Sequence, residues 1–284
     1  MIRPAPLPSS RRALLRLALA AGASLTWPGR ARSQGAPLPA IDALYRLRYE
    51  GAQAVELRLR AEAGADGHRS LLTTAAIGFV SLLVDYDGQS EAEGPVRDGR
   101  PRPETFASRT VRRGDPRTVD IAFAPGTGDV EALRIVRRGS ERESEVPEAM
   151  RRGVMDPLTA IQAARAAFLA GDTAPLTLPV FDGRRRYDVT VTVGGRTAVA
   201  IAGREVAARE LRLAVAMHAG FNEREAGIAG SGGWIHGLVS DDGRALPLVF
   251  ETRDAPASAA FELVTDCGVE ACEPAPAYRL LPGT

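Results

Sequence analysis

Tyr45-Arg46-Leu47-Arg48-Tyr49-Glu50-Gly51-Ala52-Gln53-Ala54-Val55-Glu56-Leu57-Arg58-Leu59-Arg60 sets the class of fold. Tyr45, Leu47 and Tyr49 alternate with Arg46, Arg48 and Glu50. Val55, Leu57 and Leu59 then alternate with Glu56, Arg58 and Arg60. In an extended chain successive side chains point to opposite faces, so each run puts its apolar residues on one side and its charges in water. Gly51-Ala52-Gln53 between the runs predicts a turn, and the pair reads as a hairpin with one buried face.

The same period returns further along. Residues 71–86 are more apolar and contain Gly78, which fits a strand with a bulge or bend. Gly94-Pro95, Asp98-Gly99 and Pro101-x-Pro103 mark a turn-rich connection. Phe106 to Val111 and Val119 to Phe123 read as strands, whereas residues 125–150 read as charged and irregular. Past residue 180, Tyr187, Val189, Val191 and Val193 oppose Asp188, Thr190 and Thr192, and Gly194-Gly195 reads as the turn that follows. Leu211, Leu213, Val215 and Met217 alternate next. Trp234 to Val239, Leu246 to Thr252 and Phe261 to Val264 complete the strands, with Asp241-Asp242-Gly243 as a hairpin turn.

One segment breaks the period. Asp156 can cap a helix, Pro157 suits its first position and Gly171 its stop, so a helix is predicted over 156–170. Leu158, Ile161, Ala164, Phe168 and Leu169 share one of its faces, which predicts packing on a sheet. The expected architecture is mainly β: one domain over 42–284, with strand sets at 42–150 and 180–265 joined by this central helix.

The N-terminus carries an address. Arg11-Arg12 precede the short apolar run Leu17 to Leu25, and Ala31-x-Ser33 supplies small residues for cleavage. This order is that of a secretory signal peptide over 1–33, and the paired arginines fit the twin-arginine type. The apolar run is shorter than the roughly 20 residues a spanning helix needs. A polar, proline-bearing leader follows over 34–41. The expected location is the periplasm, with a mature chain that does not span a membrane.

Cleavage changes the charge. The whole chain is +1, and residues 1–33 hold six arginines and no acid, so the mature chain is about −5. A mildly acidic body argues against nucleic acid, which needs a basic face. All the basic charge is arginine; the chain has no lysine. Cys267 and Cys272, five positions apart, are expected to form a small-loop disulfide in an oxidising compartment. Two thiolates without a nearby histidine make a poor zinc site, and the spacing is not Cys-x-x-Cys.

Three histidines occur, His68, His218 and His236. His218 and His236, with Glu223 or Glu225, form a candidate two-histidine, one-carboxylate metal set; the alternative is two ordinary strand residues. Ser231 in Ala229-Gly230-Ser231-Gly232-Gly233 is a candidate nucleophile, but the following segment reads as a strand, where a nucleophile elbow needs a helix. Arg184-Arg185-Arg186 reads as a solvated strand start. No phosphate-cradling loop or dinucleotide fingerprint occurs, so no catalytic residue, metal or cofactor is assigned.

Asp156-Pro157-Leu158-Thr159-Ala160, Phe181-Asp182-Gly183-Arg184-Arg185-Arg186-Tyr187, Trp234 and Ser240-Asp241-Asp242-Gly243-Arg244-Ala245-Leu246-Pro247, with Tyr45-x-Leu47-x-Tyr49 at the start, resemble the exported bacterial proteins of the domain-of-unknown-function 3108 family over roughly residues 45–265. The resemblance implies an exported, β-rich protein similar in outline to the curved half-barrels of periplasmic carriers. It implies no catalytic residue.

Three functions remain. A curved sheet with one apolar face, closed by a helix, would make a concave site for a lipid or other envelope amphiphile. A fully packed interior would exclude this. An envelope scaffold or assembly factor would show an exposed apolar patch or an open sheet edge. A periplasmic hydrolase would bring His218, His236 or Ser231 together with a carboxylate.

Overall fold

A computed structural model describes residues 37–65, 67–77, 81, 86–222, 233–255, 257–270 and 272. The predicted signal, with Arg11, Arg12, Ala31 and Ser33, lies outside them, as do Ser231, Glu223 and Glu225.

From residue 41 the chain runs as a meander: β1 (Ile41–Tyr49), β2 (Ala52–Gly64), β3 (Gly67–Ala76), β4 (Tyr86–Gly94), β7 (Thr105–Arg112), β8 (Asp115–Phe123), β9 (Val130–Arg137) and β10 (Ser140–Glu141). A small hairpin of β5 (Val96–Arg97) and β6 (Arg100–Pro101) interrupts it. A 3₁₀ turn at Glu148–Arg151 leads into helix α1 (Pro157–Leu169). A second meander follows: β11 (Leu176–Phe181), β12 (Arg186–Ile201), β13 (Arg204–Ala219), β14 (Trp234–Ser240), β15 (Pro247–Arg253) and β16 (Ala259–Asp266).

Fourteen strands form one sheet in the order β10-β9-β8-β7-β4-β3-β2-β1-β16-β15-β14-β13-β12-β11, antiparallel throughout. β1 pairs with β16 near the middle. The first meander therefore runs outward from the centre, and the second starts at the far edge and returns to it. This is the mainly β, helix-bearing fold that the alternation predicts.

The edge strands do not pair with each other, so the sheet is not closed by a ladder. The connection between the meanders joins its two ends instead. The Ser144 hydroxyl donates to the Gly183 carbonyl, 3.1 Å, and the Val154 N–H to the Gly128 carbonyl, 2.9 Å. Met155 donates to Pro179 and accepts from Phe181, each at 2.9 Å, as a parallel bridge along β11. Pro179 is tolerated there because an edge strand does not need every N–H in a ladder. Gly183 lies against Val119 of β8: a Cβ on Gly183 would come within 2.3 Å of Val119 Cγ1.

The core follows from this curl. One cluster joins Ile41, Ala43 and Tyr45 of β1, Ile121 and Phe123 of β8, Ile135 of β9, Leu158 of α1, Phe181 of β11 and Leu248 of β15. Residues from both ends of the sheet share it.

Helix α1 begins and ends where its sequence says. Asp156 accepts from the Leu158 N–H (2.9 Å), the Thr159 N–H (2.8 Å) and the Thr159 hydroxyl (2.5 Å), satisfying donors a helix start leaves free. Pro157 follows it, and Gly171 takes a positive φ of 78° just past the end. The buried face differs from the predicted one. Leu158, Thr159, Ala160, Gln162, Ala163, Arg165, Ala166 and Ala167 are buried, while Ile161 is 36% exposed. Alanines let the helix approach the sheet, and the bulkier apolar stripe turns elsewhere.

Three segments depart from expectation. Gly194-Gly195 is no turn: it is a register shift inside β12, and the chain reverses at Ala202–Gly203. The 125–150 segment contains β9, whose alternation is masked by three charges in eight residues. β4, Tyr-Asp-Gly-Gln-Ser-Glu-Ala-Glu-Gly, has almost no β-favouring residue, yet it fills the gap between β3 and β7. Its small residues are needed there, since a Cβ on Gly94 would stand 2.0 Å from the Arg102 carbonyl oxygen.

Candidate functional site

Between α1 and the concave face lies a cavity of about 350 Å³. The helix contributes Ile161, Ala164 and Phe168, the apolar stripe left over from close packing. Across from it stand Leu57, Leu59 and Leu72 of β2 and β3, Val191 and Val193 of β12, Leu211 and Leu213 of β13, and Phe250 and Phe261 of β15 and β16. Each is the inward member of its alternation. The curl keeps the strands from converging on the helix along its whole length, and space remains where the stripe faces them. A volume in this range and an apolar lining are what small-molecule sites share.

Few polar groups reach this lining. Asp172 lies exposed and paired with Arg100, 3.2 Å. Tyr45 and Arg165 are buried, at 0% and 4% exposure. The Tyr45 ring stacks on Phe261, with centroids 4.5 Å apart. Its hydroxyl has no hydrogen-bond partner among the described residues. Burial pushes this phenol well above its usual range, against the opposing pull of the Arg165 charge.

Arg165 extends from α1 and binds only neutral oxygens. Nε donates to the Ala245 carbonyl (3.2 Å), Nη1 to Gln162 Oε1 (2.7 Å), and Nη2 to the carbonyls of Pro39 (2.8 Å) and Arg244 (2.7 Å). A guanidinium has five N–H donors. Four are used, and no carboxylate is among the partners. Burial lowers this side chain to about 10, with a further push from the Arg244 charge that Tyr45 partly opposes.

The histidines do not assemble. His218 Nε2 lies 2.9 Å from Asp188 Oδ2, whose other oxygen accepts from Arg186 at 2.6 Å. Burial pushes the Asp188 carboxyl up, but bonds from Arg186 and His218 outweigh it and hold it below its ordinary value. His236 Nδ1 lies 3.3 Å from Glu251 Oε1. His236 sits opposite Arg212 on β13, six residues from His218, which at strand rise is about 20 Å. His68 is buried, with Nε2 2.9 Å from the Arg102 carbonyl oxygen. Among the described residues no group of three potential metal ligands forms.

Sequence reasoning weighed the histidines and missed Tyr45 and Arg165 as site residues. The signal was faint: an arginine in an alanine-rich helix, and a tyrosine in the middle of a strand. In a chain whose every basic side chain is arginine, one more does not stand out.

Sheet, strap, helix and cavity together define an open-barrel protein with an apolar interior site. The chain belongs to the family described as "Protein of unknown function (DUF3108)", whose model matches residues 44–263. Nothing among curated proteins matches the chain. Among solved structures it is similar to a beta-barrel-like protein of domain of unknown function DUF1849 from Brucella abortus, at 15% identity and TM-score 0.49, over 81% of this chain and 98% of that one. It is also similar to one titled "a putative lipoprotein" from Parabacteroides distasonis ATCC 8503, at 6% identity and TM-score 0.32, over 79% and 94% of the two chains. No described helix is long and apolar enough to cross a membrane.

Proposed function

We propose that this protein is a non-enzymatic carrier or binding protein of the periplasm, holding an envelope amphiphile or lipid between α1 and the concave sheet. The observation that carries the reading is the apolar cavity itself. Bulky residues of α1 face the sheet across open space instead of packing on it, an arrangement that leaves apolar surface unsatisfied until something apolar fills it. Export through Arg11-Arg12, cleavage after Ser33 and a Cys267–Cys272 disulfide belong to the same reading. The two cysteines have Cα atoms 5.2 Å apart, within the range a disulfide spans.

The assembly-factor reading has less support. The outer side of β11 is occupied by Met155, and the opposite edge, β10, is two residues long. Among the described residues the exposed bulky side chains, Tyr49, Met150, Ile161 and Val269, are scattered along the chain. For a hydrolase, His218 and His236 each face their own carboxylate.

Native mass spectrometry of the protein purified from periplasm, with organic extraction of bound material, tests the reading. A co-purifying amphiphile is expected. A clean apo mass, together with no binding of any apolar probe, would defeat it. Replacing Arg11 and Arg12 by Lys is expected to leave the protein uncleaved inside the cell.

A further inference from the structure

Tyr45 and Arg165 stand together on the cavity lining as an incomplete polar site. Among the described residues the hydroxyl has no partner and the cation no anion; each is costly when buried, and both residues line the same cavity. Arg165 has one Nη1–H left after its four bonds to neutral oxygens. The Tyr45 Oη–H has no partner among the described residues. Both lie on an otherwise apolar wall. Two donors and one positive charge call for a small, singly charged acceptor.

Neighbouring carboxylates do not supply it. Asp266 is held by Arg244, which also binds Asp242 at 2.8 Å. Asp172 also lines the cavity, but exposed and bound to Arg100. An anion is therefore favoured beside Arg165 and disfavoured beside Asp172.

We infer that the cavity takes a single-chain amphiphile with a carboxylate head, inserted head first, the head received by Tyr45 Oη and the free Arg165 N–H. The inference rests on the reading that the cavity binds an amphiphile, and it adds the head group and the direction of entry. The chain would lie along Ile161, Ala164 and Phe168. A carboxylate accepts both donors and neutralises the guanidinium, so it gains more here than an alcohol, ester or amine of equal length.

Displacement of the neutral fluorophore N-phenyl-1-naphthylamine separates the two levels. Binding of the fluorophore, and its loss in Ala164→Trp, reports the cavity. Competition by palmitate, hexadecanol, methyl palmitate and hexadecylamine reports the head group. Palmitate is expected to displace at roughly tenfold lower concentration than the alcohol or ester, the worth of a charge-assisted hydrogen bond. Tyr45→Phe keeps the ring and its stack on Phe261; it is expected to erase most of that preference, read as the ratio of hexadecanol to palmitate displacement within the variant. Equal displacement by all four, or a preference untouched in Tyr45→Phe, would overturn the carboxylate assignment and leave the cavity reading standing. No binding of this or any other apolar probe by wild-type protein of clean apo mass would sink both.

Discussion

Tyr45 joins two roles that substitution can separate. Its ring is core, packed on Phe261, while its hydroxyl is a buried donor with no acceptor among the described residues. An unsatisfied buried polar group costs about 1–3 kcal/mol, so Tyr45→Phe should leave stability unchanged or raise it by up to ~1 kcal/mol in urea unfolding. A core tyrosine whose hydroxyl served only the fold would lose stability instead. Asp42 gives a second residue-scale test. It accepts from Arg58 Nε at 2.8 Å and Nη2 at 2.9 Å, and these bonds hold its carboxyl below the ordinary 3.8. A depressed acid adds stability that is complete above the unfolded value and is lost as pH falls through the folded one. The wild-type protein should thus weaken below about pH 4, and Asp42→Asn should weaken less steeply there. At neutral pH that variant is expected to lose no more than ~1 kcal/mol, since the pair is partly exposed. At this scale the sequence showed which residues could do chemistry, the histidines above all. It did not show which were buried without partners, because burial depends on how the strands curl.

Elements were legible where local rules agree with the fold. β1 and β2 announce themselves by alternation, and α1 by Asp156, Pro157 and Gly171. Asp156→Ala removes three hydrogen bonds at a buried helix start and should cost about 2 kcal/mol or more, read from urea unfolding. β4 and β9 were illegible because packing decides them: β4 needs glycine against Thr74, Thr110 and the backbone at Arg102, and β9 lies one strand from an edge. The Gly194-Gly195 pair misled because glycine marks bulges as readily as turns. Which face of α1 is buried was misread for a more useful reason. An apolar stripe normally means packing, and here it lines a cavity. Gly183 tests the junction at which the sheet ends meet. Its φ of +87° and its contact with Val119 admit no Cβ, so Gly183→Val should destabilise strongly, by about 3 kcal/mol. It should also raise hydrogen exchange in 144–155.

For the whole molecule, the sheet is held as a curl by contacts of three kinds: the β1–β16 ladder, the 144–155 strap and the shared core. The cavity exists because the curl is wider than α1. Ala164→Trp should fill it, removing probe binding while the far-ultraviolet circular dichroism stays that of the wild-type protein. The mainly β class was legible from alternation plus one helix and the half-barrel outline from the resemblance, but the cavity was not, because inward residues look alike whether or not anything touches them. One feature of the topology also bears on the order of events during synthesis. β1 and β16 are neighbours in space yet lie at opposite ends of the described chain, with partners such as Tyr45 and Leu263 more than two hundred residues apart. Such a pairing closes a very long loop, which slows folding. Until β16 leaves the ribosome, β1 and β15 each present an unpaired strand edge, the surface on which chains aggregate. The nascent protein therefore stays vulnerable to misassociation, and open to a chaperone, until β16 seals the middle of the sheet.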